Sequence, residues 1–311
     1  MRILVVGAGA VGGFFGAQLA RAGRDVTFLV RPKRAEVLRA EGLSIRPFRD
    51  EPFSHTPKTV TADQLDDAYD VVLLSVKAYG LEQVLSDIAP AIGPTTVILP
   101  VLNGLRHFDV LRERFGAERI VGGLCFIAAQ LSEGVIEQIG PGAAVIFGEF
   151  GAAPGEPVSD RMLALHSAFS DAGFSASVAP SIEQALWQKW VLLAAGGALT
   201  TLLRGPVGFI VAAPGGADVA RGIAEESFSI AAAAGFALDQ VARDRALATL
   251  TEPGSPFTTS LYRDLAQGLD VESEQIVGDF VNRAGALGVS VPLLALAYTG
   301  LSVYRQSIGA A

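Results

Sequence analysis

The sequence has very little cysteine, which excludes several kinds of site. Cys125 is the single cysteine among 311 residues, so the chain forms neither an internal disulfide framework nor a cysteine metal cluster. It lies in the apolar run 124–127, where we predict a buried strand thiol. We therefore expect a protein of the reducing cytoplasm, with no metal in its site.

Long hydrophobic runs are also missing, although half of the residues are hydrophobic. No run of about eighteen apolar residues continues without a charge or a helix breaker, which predicts that no helix spans a membrane. The first apolar stretch follows Arg2 and is short. We interpret it as a strand and a turn rather than as a signal peptide.

Positive charge is scarce as well, and lysine especially so. The net charge of −8 argues against general nucleic-acid binding, which requires a basic face. Four of the 24 basic residues are lysine, namely Lys33, Lys58, Lys77 and Lys189. Where arginine dominates in this way, a lysine suggests a position that uses a compact, titratable ammonium group.

Glycine is plentiful, and its first cluster directly follows a short apolar run. Residues 2–6 and 25–30 predict strands, residues 13–22 predict a helix, and Gly7-Ala-Gly-Ala-Val-Gly12 forms the turn after the first strand. This order of strand, glycine turn, helix and strand is the context in which a G-x-G-x-x-G motif indicates dinucleotide binding.

Each glycine of the motif has a physical role. Gly7 permits the tight turn, Gly9 lets the backbone approach a pyrophosphate, and Gly12 lets the helix pack closely on the strand. The phosphates bind free N–H groups at the helix N-terminus. The predicted cofactor-binding residues of the turn are Gly7, Gly9, Ala10, Val11 and Gly12. The alternative interpretation is a glycine-rich turn that binds no ligand.

The end of the second strand indicates which dinucleotide binds. An NAD site places Asp or Glu there to bind the ribose 2′-hydroxyl, whereas this strand ends at Arg31 and continues into Lys33 and Arg34. A guanidinium can bind a 2′-phosphate through two parallel hydrogen bonds. We therefore predict NADP (NADPH) as cofactor and Arg31 as its reader. The alternative is a solvated basic loop.

Two further polar residues follow predicted parallel strands. Lys77 follows the apolar run 70–76, and Asn103 follows the strand 95–100. Ligands of open α/β sheets bind outside the carboxyl ends of the strands. Both residues are therefore candidates for contact with cofactor or substrate. The alternatives are a surface lysine and an ordinary Asn-Gly turn.

The second half of the chain predicts helices without strands. We expect an α/β Rossmann dinucleotide-binding domain over residues 1–178, an all-helical domain over residues 179–311, and a cleft between them. Lys189 lies in the apolar helix 182–203, where an ammonium group is costly unless it is paired or lines a cleft. The alternative is a side chain that reaches solvent between Trp187 and Trp190.

The motifs together resemble the ketopantoate reductase (2-dehydropantoate 2-reductase) family along nearly the whole chain. The ordered set Lys77, Asn103, Lys189, Ser260 and Glu272 carries most of the resemblance. The matching segments also include the glycine turn, Val30-Arg31, Ser75-Val-Lys77, Leu102-Asn103-Gly104, Leu186-Trp-Gln-Lys189, Leu199-Thr200, Glu226 with Gly235, Ser260-Leu-Tyr-Arg-Asp264, Val271-Glu272 and Gly288-Val-Ser-Val-Pro292.

The resemblance implies a fold, a reaction and roles for residues. The second domain is expected to be like the C-terminal domain of 6-phosphogluconate dehydrogenase. The reaction is NADPH-dependent reduction of 2-dehydropantoate to pantoate, a cytoplasmic step toward pantothenate and coenzyme A. Lys189 matches the general acid, and Glu272 a glutamate that holds substrate and lysine. Ser260 and Asn103 match substrate-binding positions, and Lys77 a lysine near the nicotinamide ribose.

One feature departs from the family. Its members usually carry asparagine four and eight residues after the catalytic lysine, and here those positions hold Leu193 and Gly197. The reaction class survives this change, but the substrate does not follow from the family alone. Two alternatives stay open: a paralogue that reduces a more apolar 2-oxo acid, and a non-catalytic NADP(H)-binding or redox-sensing protein. The apolar helical half is also compatible with a homodimer.

Overall fold

The computed structural model describes residues 1–77 and 80–309. The chain divides into two compact units. The first contains Met1–Leu102 and His107–Ile182, and the second contains Asn103–Arg106 together with the chain from Glu183 onward. The short segment Asn103–Arg106 therefore groups with the helical unit, although the residues on both sides of it belong to the first.

The elements are numbered in chain order. The strands are β1 (Arg2–Val6), β2 (Asp25–Leu29), β3 (Leu43–Arg46), β4 (Phe53–His55), β5 (Lys58–Val60), β6 (Val71–Leu74), β7 (Val97–Pro100), β8 (Gly122–Ser132), β9 (Val135–Gly148) and β10 (Ser175–Val178). The helices of the first half are α1 (Ala10–Arg21), α2 (Pro32–Glu41), α3 (Leu81–Asp87), α4 (Arg106–Phe115) and α5 (Asp160–Phe169).

The first sheet has the strand order β5-β2-β1-β6-β7, and all its neighbouring pairs are parallel. Strands β6 and β7 are buried along their whole length, and β1 is buried except at Arg2. Continuous apolar runs are typical of parallel strands covered on both faces. This arrangement brings the carboxyl ends of β1, β6 and β7 to the same edge of the sheet.

The second sheet was only partly predicted. Its order is β10-β9-β3-β4, and β8 pairs antiparallel with β9. The alternating apolar and turn residues of 120–148 by themselves predict three short strands, whereas the chain forms one long two-stranded ribbon there. Strands β4 and β10 were not predicted. The apolar patterns of residues 42–46 and 59–61 predict two strands of one small insertion between the second and third main strands. The structure divides them between the two sheets, since β3 pairs with β9 and β5 with β2.

The second half contains helices, as predicted, and no strand among its described residues. They are α6 (Ile182–Leu202), α7 (Val207–Ala212), α8 (Gly216–Ala233), α9 (Gln240–Thr251), α10 (Ser260–Ala266), α11 (Asp279–Ala286) and α12 (Pro292–Gly309). The helical pattern of residues 272–287 by itself predicts one continuous helix. The structure instead has a π-helical turn, Glu274–Gly278, directly before α11. Helix α7 was not predicted.

Helix α6 lies at the centre of the helical unit. Its side chains Trp187, Trp190, Val191 and Leu199 belong to the buried core to which the later helices also contribute. A helix that is apolar on nearly all sides is expected to be buried in this way. The predicted fold class, a parallel-sheet domain followed by an all-helical domain, is confirmed.

Two absences can be stated for residues 1–77 and 80–309. None of the helices there is long and apolar enough to cross a membrane. No group of three or more His, Cys, Asp and Glu side chains is arranged to bind a metal ion within the same residues.

Candidate active site

The glycine turn after β1 has the backbone geometry that the motif predicts. Gly7 has φ +94°, which a residue with a side chain rarely adopts. Its N–H donates to the carbonyl oxygen of Leu29 at 3.1 Å, which ties the turn to the end of β2. The turn is thus fixed by the backbone of the neighbouring parallel strand.

Gly12 is the point of closest approach between α1 and the sheet. A Cβ added at this position would overlap the Ser75 hydroxyl and the carbonyl oxygen of Gly7. The Ser75 Oγ donates to the carbonyl oxygen of Val6 at 3.0 Å, so the end of β6 is also held against the turn. Sequence reasoning quoted Ser75 as part of a motif but gave it no role. Its signal was a small hydroxyl residue directly after a buried apolar strand.

Gly9 has open space where Gly12 has none. No heavy atom lies within 4 Å of a Cβ built at Gly9, and the residue is exposed. Helix α1 begins at Ala10 with no side-chain cap at its N-terminus and no acidic residue in its first turn. The first N–H groups of a helix have no partner within the helix. The amides of Ala10, Val11 and Gly12 therefore fit a pyrophosphate group.

The basic loop after β2 supplies cations next to this turn. Arg31 is exposed and occupies the N-cap position of α2, which begins at Pro32. Arg34 is half-buried, and its guanidinium donates to the carbonyl oxygen of Ala8 at 3.4 Å. The structure thus attaches Arg34, for which the sequence indicated no role beyond the cationic cluster, to the glycine turn itself. Lys77 is exposed beyond the end of β6.

In the helical unit, Lys189 lies on α6 between two buried tryptophans. The Lys189 side chain is half-buried, whereas Trp187 and Trp190 are 5% and 1% exposed. Both indoles pack into the aromatic cluster that includes Phe280. The lysine thus lies at the border of this buried cluster and is only partly exposed.

Glu272 precedes the π-helical turn and is held by it. The N–H of Ile276, within the turn, donates to the carbonyl oxygen of Glu272 at 3.2 Å. The carbonyl oxygen of Ile276 in turn accepts a hydrogen bond of 2.9 Å from the indole nitrogen of Trp190. The segment that carries Glu272 is thus connected to α6 next to Lys189. π-Helical turns occur frequently at functional sites.

The other side of the π-helical turn is held by α12. The Tyr298 hydroxyl donates to the Glu274 carboxylate at 2.6 Å, and the Tyr298 ring packs where a Cβ at Gly278 would lie. This hydrogen bond to the Glu274 carboxylate raises the pKa of the Tyr298 hydroxyl above its usual value. The turn is therefore fixed from two neighbouring helices.

The Asn103-Gly104 pair meets the same turn. Gly104 has φ +80°, and a Cβ there would overlap the carbonyl oxygen of Gln275. Only glycine permits so close an approach of two backbone segments. Glu272 thus bonds to the π-helical turn through its backbone, while Asn103 and Lys189 are each next in sequence to a residue that contacts it, Gly104 and Trp190. Ser260 is exposed at the start of α10, whose N-cap is Thr259.

The two positions that depart from the family differ in their surroundings. Leu193 is half-buried and packs against the helical core. Gly197 is fully enclosed: a Cβ there would meet Leu261 at 3.4 Å, Val277 at 3.9 Å and Ile276 at 4.0 Å. An asparagine amide at position 197 would therefore enter apolar side chains. Of the two, Leu193 alone is a candidate for the wall of a substrate site.

Comparison with known proteins identifies the class to which this fold and site belong. Models described as "Ketopantoate reductase PanE/ApbA" and "Ketopantoate reductase PanE/ApbA C terminal" match residues 3–152 and 181–305. An uncharacterized oxidoreductase of Bacillus subtilis, YkpB, is 35% identical over 98% of this chain and 99% of its own length.

Solved structures agree with this assignment. A 2-dehydropantoate 2-reductase from Geobacter metallireducens is 29% identical with a TM-score of 0.87, covering 97% of this chain and 99% of its own. A ternary structure of D-mandelate dehydrogenase with NADH and anilino(oxo)acetate shares the fold at 22% identity, with a TM-score of 0.86 and coverage of 99% and 100%. The protein is thus a two-unit oxidoreductase. It belongs to the ketopantoate reductase family.

The contrast between Gly9 and Gly12 gives a testable prediction. Gly9→Ala places a methyl group in open space, so we expect little change in melting temperature but a clear rise in the dissociation constant for the dinucleotide. Gly12→Ala forces α1 away from Gly7 and Ser75 and should lower the melting temperature. Thermal unfolding and fluorescence titration with NADPH measure both effects. Unchanged NADPH affinity in a folded Gly9→Ala protein would contradict a pyrophosphate at this turn.

Proposed function

We propose that the protein catalyses NADPH-dependent reduction of a 2-oxo acid to the 2-hydroxy acid. The reaction 2-dehydropantoate to pantoate, in pantothenate biosynthesis, is the first candidate. The observation that carries the proposal is the position of Lys189 on a buried helix, next to the indole that is bonded to the Glu272 segment. The ketopantoate reductase name of the family supports it.

When bound, a nicotinamide cofactor would supply the hydride for the substrate carbonyl carbon. Negative charge then develops on the carbonyl oxygen, and an ammonium group both stabilises that charge and donates the proton that completes the hydroxyl. Lysine can do both, whereas arginine does not release its proton at neutral pH. We assign Lys189 as the general acid and Glu272 as the carboxylate that orients it. Ser260 and Asn103 then bind the substrate.

The same proposal assigns the glycine turn and the basic loop to the cofactor. The amides of Ala10, Val11 and Gly12 bind the pyrophosphate, and Arg31 binds the 2′-phosphate. Lys77 and Asn103 contact the nicotinamide half. The fold alone does not select NADPH, because D-mandelate dehydrogenase has the same fold and its ternary structure contains NADH. The cationic end of β2, with no acidic residue for a 2′-hydroxyl, favours the phosphorylated dinucleotide.

The first prediction from the proposed function concerns the choice of cofactor. Arg31→Ala should raise the Michaelis constant for NADPH much more than that for NADH, because only NADPH has a 2′-phosphate for the guanidinium to bind. Initial rates with both cofactors at saturating substrate measure the two constants. Lys33→Ala, exposed in the first turn of α2, is the control for a general loss of positive charge. Equal changes for NADPH and NADH would show that Arg31 does not recognise the phosphate.

The second prediction concerns the acid. Lys189→Ala should lower the turnover number about 100-fold or more, the scale of a lost general acid. Lys189→Arg should also lower it strongly, because guanidinium keeps the charge but withholds the proton. NADPH affinity should stay near that of the unmodified protein in both variants. If Lys189→Ala retained most of its turnover, the assignment would be wrong.

A second candidate substrate follows from Leu193. Residues four apart on a helix are neighbours, so Leu193 lies over the turn after Lys189. A substrate hydroxyl next to leucine lacks the amide partner that the family's asparagine offers, and an unpaired buried polar group costs about 1–3 kcal/mol. A 2-oxo acid with a purely alkyl side chain loses nothing there. This favours a more apolar 2-oxo acid than 2-dehydropantoate.

The third prediction compares substrates that differ by a single hydroxyl. We expect 3,3-dimethyl-2-oxobutanoate, which is 2-dehydropantoate without its hydroxyl, to be reduced with comparable or higher kcat/KM. Leu193→Asn should shift the ratio of the two efficiencies toward 2-dehydropantoate, while Leu193→Met, which keeps the site apolar, should not. NADPH absorbance measures both rates. Strong preference for 2-dehydropantoate, unchanged in Leu193→Asn, would eliminate the apolar candidate.

The same assays test the alternative that the protein binds NADP(H) without catalysing a reaction. A protein that binds NADPH with ordinary affinity yet consumes none with any member of a 2-oxo acid panel would be a dinucleotide-binding or redox-sensing protein. The proposed enzyme instead oxidises NADPH in proportion to the 2-oxo acid reduced. A homodimer stays a prediction that sedimentation of the intact protein can check.

A further inference from the structure

Trp190 has a role that neither the sequence motifs nor the family resemblance assigns. It is 1% exposed, and its indole N–H donates to the carbonyl oxygen of Ile276 at 2.9 Å. A buried indole N–H normally needs a partner, but that partner is here a backbone carbonyl inside a π-helical turn. The hydrogen bond therefore fixes an irregular segment rather than a regular helix.

The hydrogen bond connects the two backbone segments that carry Lys189 and Glu272 through one residue, Ile276. Trp190 follows Lys189 directly on α6, and Ile276 donates its own N–H to the carbonyl oxygen of Glu272 at 3.2 Å. Ile276 thus accepts from the lysine-bearing helix and donates to the glutamate-bearing segment. The path from one side to the other consists of two hydrogen bonds and no flexible side chain except the indole.

The indole is packed among aromatic side chains and a guanidinium group. The Trp190 ring lies 4.7 Å from the ring of Phe280 and 5.2 Å from that of Trp187, measured between centroids. The guanidinium carbon of Arg283 lies 5.5 Å from the same ring centroid. Gly197, seven residues further along α6 and on the same helix face, lies close to Ile276 and Val277. This face of α6 is therefore the surface against which the turn rests.

We propose that Trp190 is a positioning residue that holds the π-helical turn so that Glu272 is set correctly for Lys189. The inference rests on the proposed reductase function. It predicts that loss of the indole N–H lowers kcat without changing NADPH binding, since a small displacement of a catalytic group has a large effect on rate. Trp190 does not touch substrate or cofactor in this proposal.

The test compares two matched substitutions on one helix. Trp190→Phe and Trp187→Phe remove the same indole portion from the same aromatic cluster, in which Trp187 stacks on Phe236 at 5.7 Å. Both should lower the melting temperature. Only Trp190→Phe should lower kcat for the best 2-oxo acid, by about 10-fold or more. The KM for NADPH should be unchanged in both.

Hydrogen exchange gives a readout that does not depend on activity. Backbone amides of residues 272–280 should exchange faster in Trp190→Phe than in the unmodified protein, and should be unaffected in Trp187→Phe. If Trp190→Phe does not fold, β-(3-benzothienyl)alanine at position 190 replaces the N–H by sulfur and keeps the ring shape. The same loss of kcat and the same faster exchange are expected.

The outcomes separate this inference from the proposed function. An active unmodified protein whose folded Trp190 variants keep kcat would overturn the inference and leave the reductase function intact. Equal exchange across 272–280 in both phenylalanine variants would also overturn it. If the unmodified protein reduces no 2-oxo acid, the proposed function and the catalytic part of the inference both fail. Exchange would then still report whether the indole holds the turn.

Discussion

The helical unit depends on one constraint: helix α6 is buried and yet carries an ammonium group. Most of its side chains lie in the apolar core, so the lysine side chain has to leave the helix on a face that is not fully enclosed. Lys189 is half-buried, between the two fully buried tryptophan positions. Burial of Trp190, directly next to Lys189, fixes which face of α6 packs into the core beside the lysine.

In the first unit the main constraint is that backbone N–H groups at the start of α1 must be accessible to a ligand. Side chains would block these groups, so the turn before α1 consists largely of glycine. Gly7 supplies a positive φ, Gly12 allows the helix to touch the strand, and Gly9 leaves space in front of the helix N-terminus. A larger residue would be strained at Gly7 and would overlap its neighbours at Gly12, whereas at Gly9 it would fill the space in front of the helix N-terminus. This is why the glycine turn could be recognised in sequence with its correct strand and helix on either side.

Prediction from sequence succeeded where the pattern is local and failed where partners are distant. Strands β1 and β6 and helix α6 each have an apolar pattern that is complete within one segment. Strand β10 has a short, half-polar sequence and exists because β9 offers its backbone at the edge of the second sheet. The β8–β9 pairing continues on both sides of a register shift between Ile127 and Ala129. No local sequence pattern predicts that shift.

The candidate site was predictable to the same extent. Lys189 and Glu272 could be proposed from residue type and resemblance, but the π-helical turn between Glu272 and α11 could not, because a π turn contains an ordinary helical sequence with one extra residue. One residue corresponds to about 100° of rotation around a helix. The π turn therefore rotates the segment that carries Glu272 by about 100° around the helix axis, relative to the core-facing Phe280, when compared with a continuous α-helix through residues 272–287. Val277 and Phe280 can thus stay buried in the core while the segment before the turn, with Glu272, has a different orientation.

The indole of Trp190, the phenol of Tyr298 and the backbone at Gly104 each contact this turn, and each contact is between groups far apart in sequence. The sequence thus identified Lys189 and Glu272 as candidates by their residue types. The orientation of Glu272 could not be predicted, because it depends on an irregular turn that tertiary contacts hold.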